Sequence, residues 1–302
     1  MTIIKSFSVG YGDMFAIRHA SDSFTMIDCF LNDGNKDKIL NEIKILAKDK
    51  TIKRFISTHP DYDHIGGLNI LDDEMKILNF YCVENQAIKE NTNNDENFER
   101  SFERYCKLRD SDKAFYIYKD CKRKWMNLSD DKRGSAGISV LWPKLDNPHF
   151  QQALKDANDK KSPNNISPII QYSNGDFNFL WFGDLETNFM EKIRDEVLDE
   201  LPNDSKNSNI IFAPHHGRDS GKIPQSWLAK LKPYLIIIGE APSENLNYYQ
   251  GFNTITQNSA GDTIFTIGEE FNIYVSKKNY STKINNNTYC AEYQSDLGYK
   301  LL

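Results

Sequence analysis

The chain has 302 residues, enough for one large α/β domain or two small ones with a substantial buried core. Its net charge of −6 excludes a global basic field of the kind that attracts nucleic acid or an anionic membrane. An anionic substrate would therefore have to be held by local charges.

The sequence carries no signs of export or membrane insertion. The N-terminus has no apolar signal core, and no apolar run approaches the roughly 18 residues of a membrane span. The five cysteines are far apart and form no C-x-x-C pair, which argues against a disulfide framework or a cysteine zinc site. We therefore expect a soluble, cytoplasmic protein with no membrane partner, and the sequence indicates no particular oligomeric state.

Three short strands are predicted at the start of the chain, at Ile3 to Val9, Met14 to Arg18 and Phe24 to Cys29. The Gly-Tyr-Gly-Asp turn at 10–13 joins the first two strands. Asn35 to Lys48 has apolar residues at helical spacing and predicts a surface helix. A further short apolar run, at 51–56, predicts the strand that leads into the most informative stretch of the chain.

That stretch places four metal-capable side chains within six residues: His59, Asp61, Asp63 and His64. In an extended segment, ligands at alternate positions point the same way, so the first three are expected to converge while His64 faces the other side. One loop would then serve two neighbouring metal positions. The alternative is a polar turn with two incidental histidines. It is disfavoured because four of the six histidines of the chain lie in two short turns.

After a strand at Ile77 to Val83, the composition changes over residues 84–136, where polar and aromatic residues recur at helical spacing. We interpret this segment as a helical insertion that shapes substrate access and is dispensable for the fold. Its basic run at 119–125 either contacts phosphates, with Trp125 stacking, or forms a solvated helix face with Trp125 turned inward. A strand at Gly137 to Trp142 and a helix at Asn147 to Ala157 follow.

Two later strand ends carry polar residues of the same kind. The strand at Asp176 to Phe182 ends in Gly-Asp-Leu-Glu, where Asp184 is either a third metal element or the N-cap of the next helix. The strand at Ser208 to Ala213 ends in Pro-His-His-Gly, which contains His215 and His216. A helix at 223–232, a strand at 234–239 and a final hairpin at 263–276 complete an α/β pattern. The pattern predicts one domain, 1–302, with two packed sheets and outer helices.

The loop from His59 to Gly67 resembles the signature loop of the metallo-β-lactamase-fold hydrolases, with Asp61 where the usual form has histidine. This variant resembles the branch that contains the hydrolase domain of the bacterial competence (DNA-uptake) channel protein and the phosphorylcholine esterases. The resemblance implies a four-layer αββα sandwich that binds two divalent cations, zinc or manganese, with Asp184 as the bridging ligand. Asp28 then either orients a ligand histidine or is a strand-end turn former.

The resemblance also implies roles for the other polar residues. His216 is the ligand in the second histidine pair, and His215 is free to contact phosphate or to protonate a leaving group, although the residues alone allow the two to be exchanged. The implied set comprises metal ligands His59, Asp61, Asp63, His64, Asp184 and His216, catalytic residues Asp63 and His215, and substrate contacts Asn165, Arg218 and Lys222.

One departure from the family pattern concerns a further histidine ligand that many relatives supply before the bridging aspartate. Only His149 lies in that interval, far from any predicted strand end, and Asn164, Asn165 or Ser167 fills the expected neighbourhood. The position formed by His59 and Asp61 therefore has fewer strong ligands than the one formed by the other loops, which puts its occupancy in question.

The sequence-based hypothesis is a metal-dependent hydrolase, a phosphodiesterase or nuclease that uses a metal-bound hydroxide. The negative net charge favours a small or single-stranded substrate, held by Arg218, Lys222 and the basic residues 122–124. One alternative keeps the metal and hydrolyses a lactone, thioester or amide. Another is a non-catalytic binding protein, which is disfavoured because converging buried charges are unfavourable without a cation.

Overall fold

The computed structural model describes residues 1–89, 95–203 and 207–302. Its strands in chain order are β1 (Thr2–Ser6), β2 (Phe15–Arg18), β3 (Ser23–Ile27), β4 (Cys29–Phe30), β5 (Ile52–Ile56), β6 (Asn79–Cys82), β7 (Ala114–Tyr116), β8 (Ile138–Trp142), β9 (Ile169–Asn174), β10 (Phe177–Trp181), β11 (Ser208–Phe212), β12 (Leu235–Ile238), β13 (Thr254–Thr256), β14 (Thr263–Ile267), β15 (Phe271–Val275), β16 (Ser281–Ile284), β17 (Asn287–Gln294) and β18 (Gly298–Leu301). Its α-helices are α1 (Lys36–Leu46), α2 (Tyr62–Ile65), α3 (Leu68–Met75), α4 (Glu96–Arg109), α5 (Pro148–Asn158), α6 (Thr187–Lys192), α7 (Arg194–Val197), α8 (Gln225–Leu231) and α9 (Gln257–Ala260).

The strands form two sheets within the described residues. The first sheet has the order β16-β17-β18-β15-β14-β1-β2-β3-β5-β6-β7, and the second has the order β13-β12-β11-β10-β9-β8. Strands β3, β5, β6 and β7 run parallel in the first sheet, and β10 to β13 run parallel in the second. Because the carboxyl ends of parallel strands meet at one edge of a sheet, the loops that follow β10 and β11 can converge. The loop that follows β5 in the first sheet lies against them, with His59 Nε2 3.8 Å from Asp184 Oδ2.

The two sheets pack face to face and helices cover both outer faces. Between the sheets, the ring of Phe15 on β2 lies 4.8 Å from the ring of Phe212 on β11. A separate buried cluster joins the outer face of the first sheet to α1, α3 and α4, for example through Ile43, Leu71 and Tyr105. Helices α5, α6 and α8 pack on the second sheet through buried aromatic and aliphatic side chains. The predicted four-layer αββα architecture is therefore confirmed.

Several helix ends follow directly from local sequence. Asn147 precedes α5, its side chain accepts hydrogen bonds from the backbone of His149 and Phe150, and Pro148 occupies the first helical position. Asp95 caps α4 in the same way. The predicted strands before residue 276 form within a few residues of their expected bounds, but β16 to β18 extend the first sheet and were not predicted.

The segment 84–136 departs from the expected helical insertion. It contains one helix, α4, and the strand β7, which pairs with β6 and so belongs to the first sheet. Tyr105 on α4 is fully buried in the outer core, and Met126 is fully buried in the core that includes the space between the sheets. Residues 90–94 lie outside the described part of this segment. This integration argues against dispensability, while the organisation of the chain as one domain stays a prediction.

Two expectations from composition concern membranes and cysteines. Within the part of the chain that the structure describes, no helix combines the length and apolarity needed to cross a membrane. Cys29, Cys82, Cys106, Cys121 and Cys290 are all free, as their spacing predicted.

Candidate metal centre

The polar residues singled out by sequence converge where three strand ends meet. The first loop follows β5, Asp184 follows β10, and the histidine pair follows β11. The backbone N–H of His215 donates to the carbonyl of Gly183, which ties the second and third loops together. Three chain segments distant in sequence therefore face one cleft, as expected from the strand topology.

The first loop changes conformation midway, which corrects the expectation of alternating side chains. Asp61 is extended, with φ −77° and ψ 152°, but Tyr62–Ile65 form a helical turn. Neighbouring residues on a helical turn are rotated by about 100°, so Asp63 does not point with His59 and Asp61. Its carboxylate lies beside His216 instead. The turn ends at Ile65 with Gly66 as its C-cap, and α3 begins after Gly67, whose φ of 79° suits glycine and whose added Cβ would lie 2.6 Å from Leu31 Cβ.

We call the group formed by Asp63, His64, Asp184 and His216 the inner position. Nε2 of His64 lies 3.0 Å from Oδ1 of Asp184. Nε2 of His216 lies 3.3 Å from Oδ2 of Asp63 and 3.8 Å from Oδ2 of Asp184. His64, His216 and Asp184 are buried, whereas the Asp63 side chain is 28% exposed.

Two further carboxylates orient the histidines of the inner position. Nδ1 of His64 is hydrogen-bonded to Asp28 at 2.8 Å, and Nδ1 of His216 is hydrogen-bonded to Asp13 at 3.0 Å. Each contact fixes the ring so that Nε2 faces the cleft. The contact places Asp28 where the orienting role requires it, and that role in metal binding stays a prediction. Asp13 was missed, although the turn that contains it was recognised in the sequence.

The buried polar atoms of the cleft test whether a cation fits. Among the described residues, Nε2 of His59, His64 and His216 and Oδ1 of Asp184 are buried without a hydrogen-bond partner, since the 3.0 Å approach of His64 to Asp184 lacks hydrogen-bond alignment. Leaving such atoms unpaired is unfavourable. His64, Asp184 and His216, together with Asp13, each offer a ligand atom within 4.8 Å of the others. Because Asp13 is hydrogen-bonded to Nδ1 of His216, we assign the fourth donor of the inner position to Asp63, whose Oδ2 lies 3.3 Å from Nε2 of the same ring. Imidazole and carboxylate donors in this arrangement fit a divalent cation.

The pKa values at the inner position are also consistent with binding of a cation. Burial acts to lower the pKa of His216, but the carboxylates of Asp13 and Asp184 outweigh it and raise the pKa to about 10. Burial also opposes the charged form of His64, yet Asp184 and Asp28 hold its pKa well above the ordinary value. The pKa of Asp184 is well below its ordinary value, because the histidines outweigh its burial. The carboxylate of Asp184 is therefore ionised, and a bound cation would displace protons from the rings.

We call the group formed by His59, Asp61 and Asp184 the outer position. Nε2 of His59 lies 3.6 Å from Oδ2 of Asp61 and 3.8 Å from Oδ2 of Asp184. Nδ1 of His59 lies 3.3 Å from the hydroxyl of Ser167, in the neighbourhood where a further histidine was expected. The other oxygen of Asp61 forms an ion pair with Lys89, which the sequence did not single out.

The second histidine pair divides between the interior and the surface of the cleft. His215 and His216 both adopt left-handed backbone angles, with φ of 51° and 56°. His216 is fully buried, whereas His215 is partly exposed, with Nε2 3.5 Å from Oδ2 of Asp184 and Nδ1 2.8 Å from the hydroxyl of Ser220. This placement favours His216 over His215 as the metal ligand.

The predicted substrate contacts have different surroundings. Arg218 lies over the ring of Tyr11 at 5.4 Å, and Lys222 lies over the ring of Tyr248 at 5.1 Å. Both follow the histidine pair in the chain. Asn165 instead exchanges hydrogen bonds with Glu186, so it joins two loops of the site, and its amide is already occupied.

The basic run at 122–124 does not reach the cleft. It leads to Trp125, whose carbonyl accepts a hydrogen bond from Arg54 on β5. Arg133, a little further along, contacts Asp22 and Thr51 at the amino end of β5. The metal loop follows the carboxyl end of that strand, so the expected contact of this run with substrate phosphate is not supported.

Comparison with known proteins supports the architecture. The model of the metallo-beta-lactamase superfamily matches residues 8–119, a range that includes Asp13, Asp28 and the whole first loop. No curated protein matches the chain. Together with the αββα architecture, this match identifies the metallo-β-lactamase fold. Since that superfamily consists mostly of metal-dependent hydrolases, the match supports hydrolase activity and divalent-metal binding.

Proposed function

We propose that the protein is a metal-dependent phosphodiesterase whose substrate is a small phosphodiester or single-stranded nucleic acid. One observation carries the proposal above all: three buried imidazole nitrogens and one carboxylate oxygen converge without partners on a single cleft. Such a cluster is unfavourable for folding alone and is explained by binding a cation. The proposed resemblance to the DNA-uptake and phosphorylcholine esterase branch is consistent with this reaction class.

The residues of the inner position would hold a zinc or manganese ion through Nε2 of His64 and His216 and through the carboxylates of Asp63 and Asp184. A divalent cation there supplies Lewis-acid activation of water and charge stabilisation at a phosphoryl oxygen. Asp28 and Asp13 keep the two rings in the correct tautomer through their Nδ1 contacts.

The choice of a phosphodiester over a neutral electrophile rests on two cations that closely follow the histidine pair in the chain. Arg218 and Lys222 contact aromatic rings, and within the described ranges neither has a carboxylate partner at ion-pair distance. Unneutralised cations in the segment that carries a candidate metal ligand favour an anionic substrate. His215, with Ser220 on its Nδ1, is positioned to donate an Nε2–H to a phosphoryl or leaving oxygen.

The decisive experiment is a substrate panel tested with zinc and with manganese. It includes bis-p-nitrophenyl phosphate, single- and double-stranded nucleic acids, phosphorylcholine, lactones, thioesters and amides. We expect turnover of a phosphodiester, lost on Asp63→Ala. Arg218→Gln should raise KM for the phosphodiester more than for a neutral ester. Turnover of a lactone, thioester or amide alone would favour that alternative, and absence of any turnover by metal-loaded protein would favour a binding role.

The role of His215 is tested separately by comparing two substitutions. His215→Ala should lower kcat by about 10²–10⁴-fold if the ring transfers a proton or stabilises the leaving oxygen. His215→Asn retains a hydrogen-bond donor that does not titrate. Recovery of activity in the asparagine variant would assign a hydrogen-bonding role, whereas equal loss in both would assign proton transfer.

A further inference from the structure

The two positions of the cleft differ in how their carboxylates are neutralised. Asp63 and Asp184, at the inner position, lie close to histidine rings, and the described residues place no lysine or arginine within ion-pair distance of either. Asp61, at the outer position, has Lys89 on Oδ1 and His59 near Oδ2. The outer position therefore already contains a fixed positive charge from the protein.

Lys89 follows a segment after β6 that is fixed to the fold by buried side chains and hydrogen bonds. Val83, Asn85 and Ala87 are buried in alternation after β6. The Asn85 side chain donates to the carbonyl of Val83 and to the hydroxyl of Tyr105 on α4. These contacts fix the path of the backbone toward the cleft, so the ion pair with Asp61 loses less conformational entropy than a pair on a free loop would.

From this geometry we infer that Lys89 takes the place of a second cation, so that the centre binds one divalent ion tightly, at the inner position. A cation held by His59 and Asp61 would lie beside the Lys89 ammonium. Two positive charges in such close proximity repel strongly in a partly buried site. The outer position also offers fewer donors, since Ser167 contacts His59 where relatives supply a histidine. The inference rests on the proposed function but concerns stoichiometry, which can be measured without substrate.

The test is to measure bound metal after equilibrium dialysis of the full chain against Zn²⁺ and, separately, Mn²⁺. The wild-type protein should retain one equivalent. Lys89→Met removes the charge while keeping a side chain of similar length, and it should acquire a second equivalent at least tenfold more tightly than wild type. Lys144→Met is the matched control, because Lys144 pairs with Glu196 at an exposed site and should leave the stoichiometry at one.

A second variant keeps the inference testable if Lys89→Met fails to fold. Asp61→Asn should leave the single equivalent in place, since Asp61 does not belong to the inner position; loss of that equivalent would overturn the inference. Two equivalents in the wild type, or one in a folded Lys89→Met, would also overturn it while leaving the proposed function intact. No bound cation in any of these proteins would instead overturn the proposed function, and this inference with it.

Discussion

The two ends of strand β5 bury polar groups in opposite ways. At its carboxyl end, the unpaired atoms of His64, His216 and Asp184 converge on one cleft. Toward its amino end, the side chain of Arg54, the middle residue of the strand, donates to the hydroxyl of Thr25 and to the carbonyl of Trp125, and Nε2 of His19 bonds to the same hydroxyl. Only Nε of Arg54 lacks a partner among these groups. One end therefore stabilises the fold, whereas the other is completed only by a ligand.

The charges at the two ends differ in sign as well. The site histidines lie among carboxylates, which raise the pKa of His216 to about 10. His19 is equally buried, but its burial and the nearby charges of Arg54 and Lys50 lower its pKa to about 3. Burial alone therefore does not indicate the role of a histidine. The charges of its neighbours, which set the direction of its pKa shift, are more informative. Substitutions at the site end should affect metal binding and activity, and those at the other end should affect stability.

The largest effect is expected for Asp184→Asn. Both oxygens of Asp184 face ring nitrogens of the cleft, so removing the charge should lower metal affinity and reduce activity by several orders of magnitude. Bound metal and kcat/KM are the measurements, with Asp195→Asn, at an exposed site, as the control. Unchanged metal content in Asp184→Asn would place the centre elsewhere.

At the opposite end, Arg54→Ala should lower the free energy of unfolding by about 2–4 kcal/mol, because it removes packing and two buried hydrogen bonds. Metal content and activity per folded molecule should not change. Arg133→Ala, which removes a partly exposed ion pair with Asp22 at the same end, should cost under about 1 kcal/mol in urea denaturation. A loss of bound metal in Arg54→Ala would contradict the division between the two ends.

A smaller effect at the site end is expected for Asp28→Asn. Asparagine tolerates the left-handed backbone of residue 28, whose φ is 54°. Its side chain is neutral, however, so it no longer supplies the negative charge that holds His64 in one tautomer. Metal affinity, measured by competition with a chelator, should fall by about 10–100-fold. Unchanged affinity would leave Asp28 with only the turn-forming role considered from the sequence.

The smallest effect is a change in pH dependence for His19→Gln. Because His19 has a pKa of about 3 when folded and an ordinary value of 6.5, its contribution to stability is complete above 6.5 and is lost as the pH falls toward 3. Relative to wild type, the variant should lose about 1.3 kcal/mol less between pH 7 and pH 5.5. Denaturant titrations at the two pH values measure this, and parallel losses would show that His19 is not buried in its neutral form.

The sequence predicted most of the fold because the signals were local. Strands before residue 276, the cap of α5 and the loops after β5, β10 and β11 are all specified by nearby residues. Segment 84–136 was misjudged because helical spacing does not reveal which core a side chain joins, and Tyr105 fills the outer core. Strands β16 to β18 lack buried alternation, with mostly exposed residues along β17, so the hydrophobic pattern was weak.

The sequence singled out the residues that converge on the cleft and the supporting Asp28, but not the other supporting contacts. His59, His64, Asp184 and His216 stand out by residue type at strand ends, whereas Asp13 and Lys89 gain meaning only through contacts across the fold. A lone aspartate in a glycine turn and a lysine in a polar stretch are common, so neither has a distinctive local signal. The grouping of Asp63 with His216 required the helical turn at Tyr62–Ile65.

The left-handed backbone at His215 and His216 is energetically unfavourable, and the surrounding structure holds it in place. For residues other than glycine this conformation is unfavourable by about 1–2 kcal/mol each, and here two such residues stand in succession before Gly217, which is also left-handed at φ 88°. The consequence is that adjacent rings diverge, with planes 71° apart, and one faces the interior while the other faces the opening. Without the left-handed conformation the two rings would not diverge in this way. Because glycine adopts that conformation without strain, His215→Gly should stabilise the fold even as it removes the outward-facing imidazole.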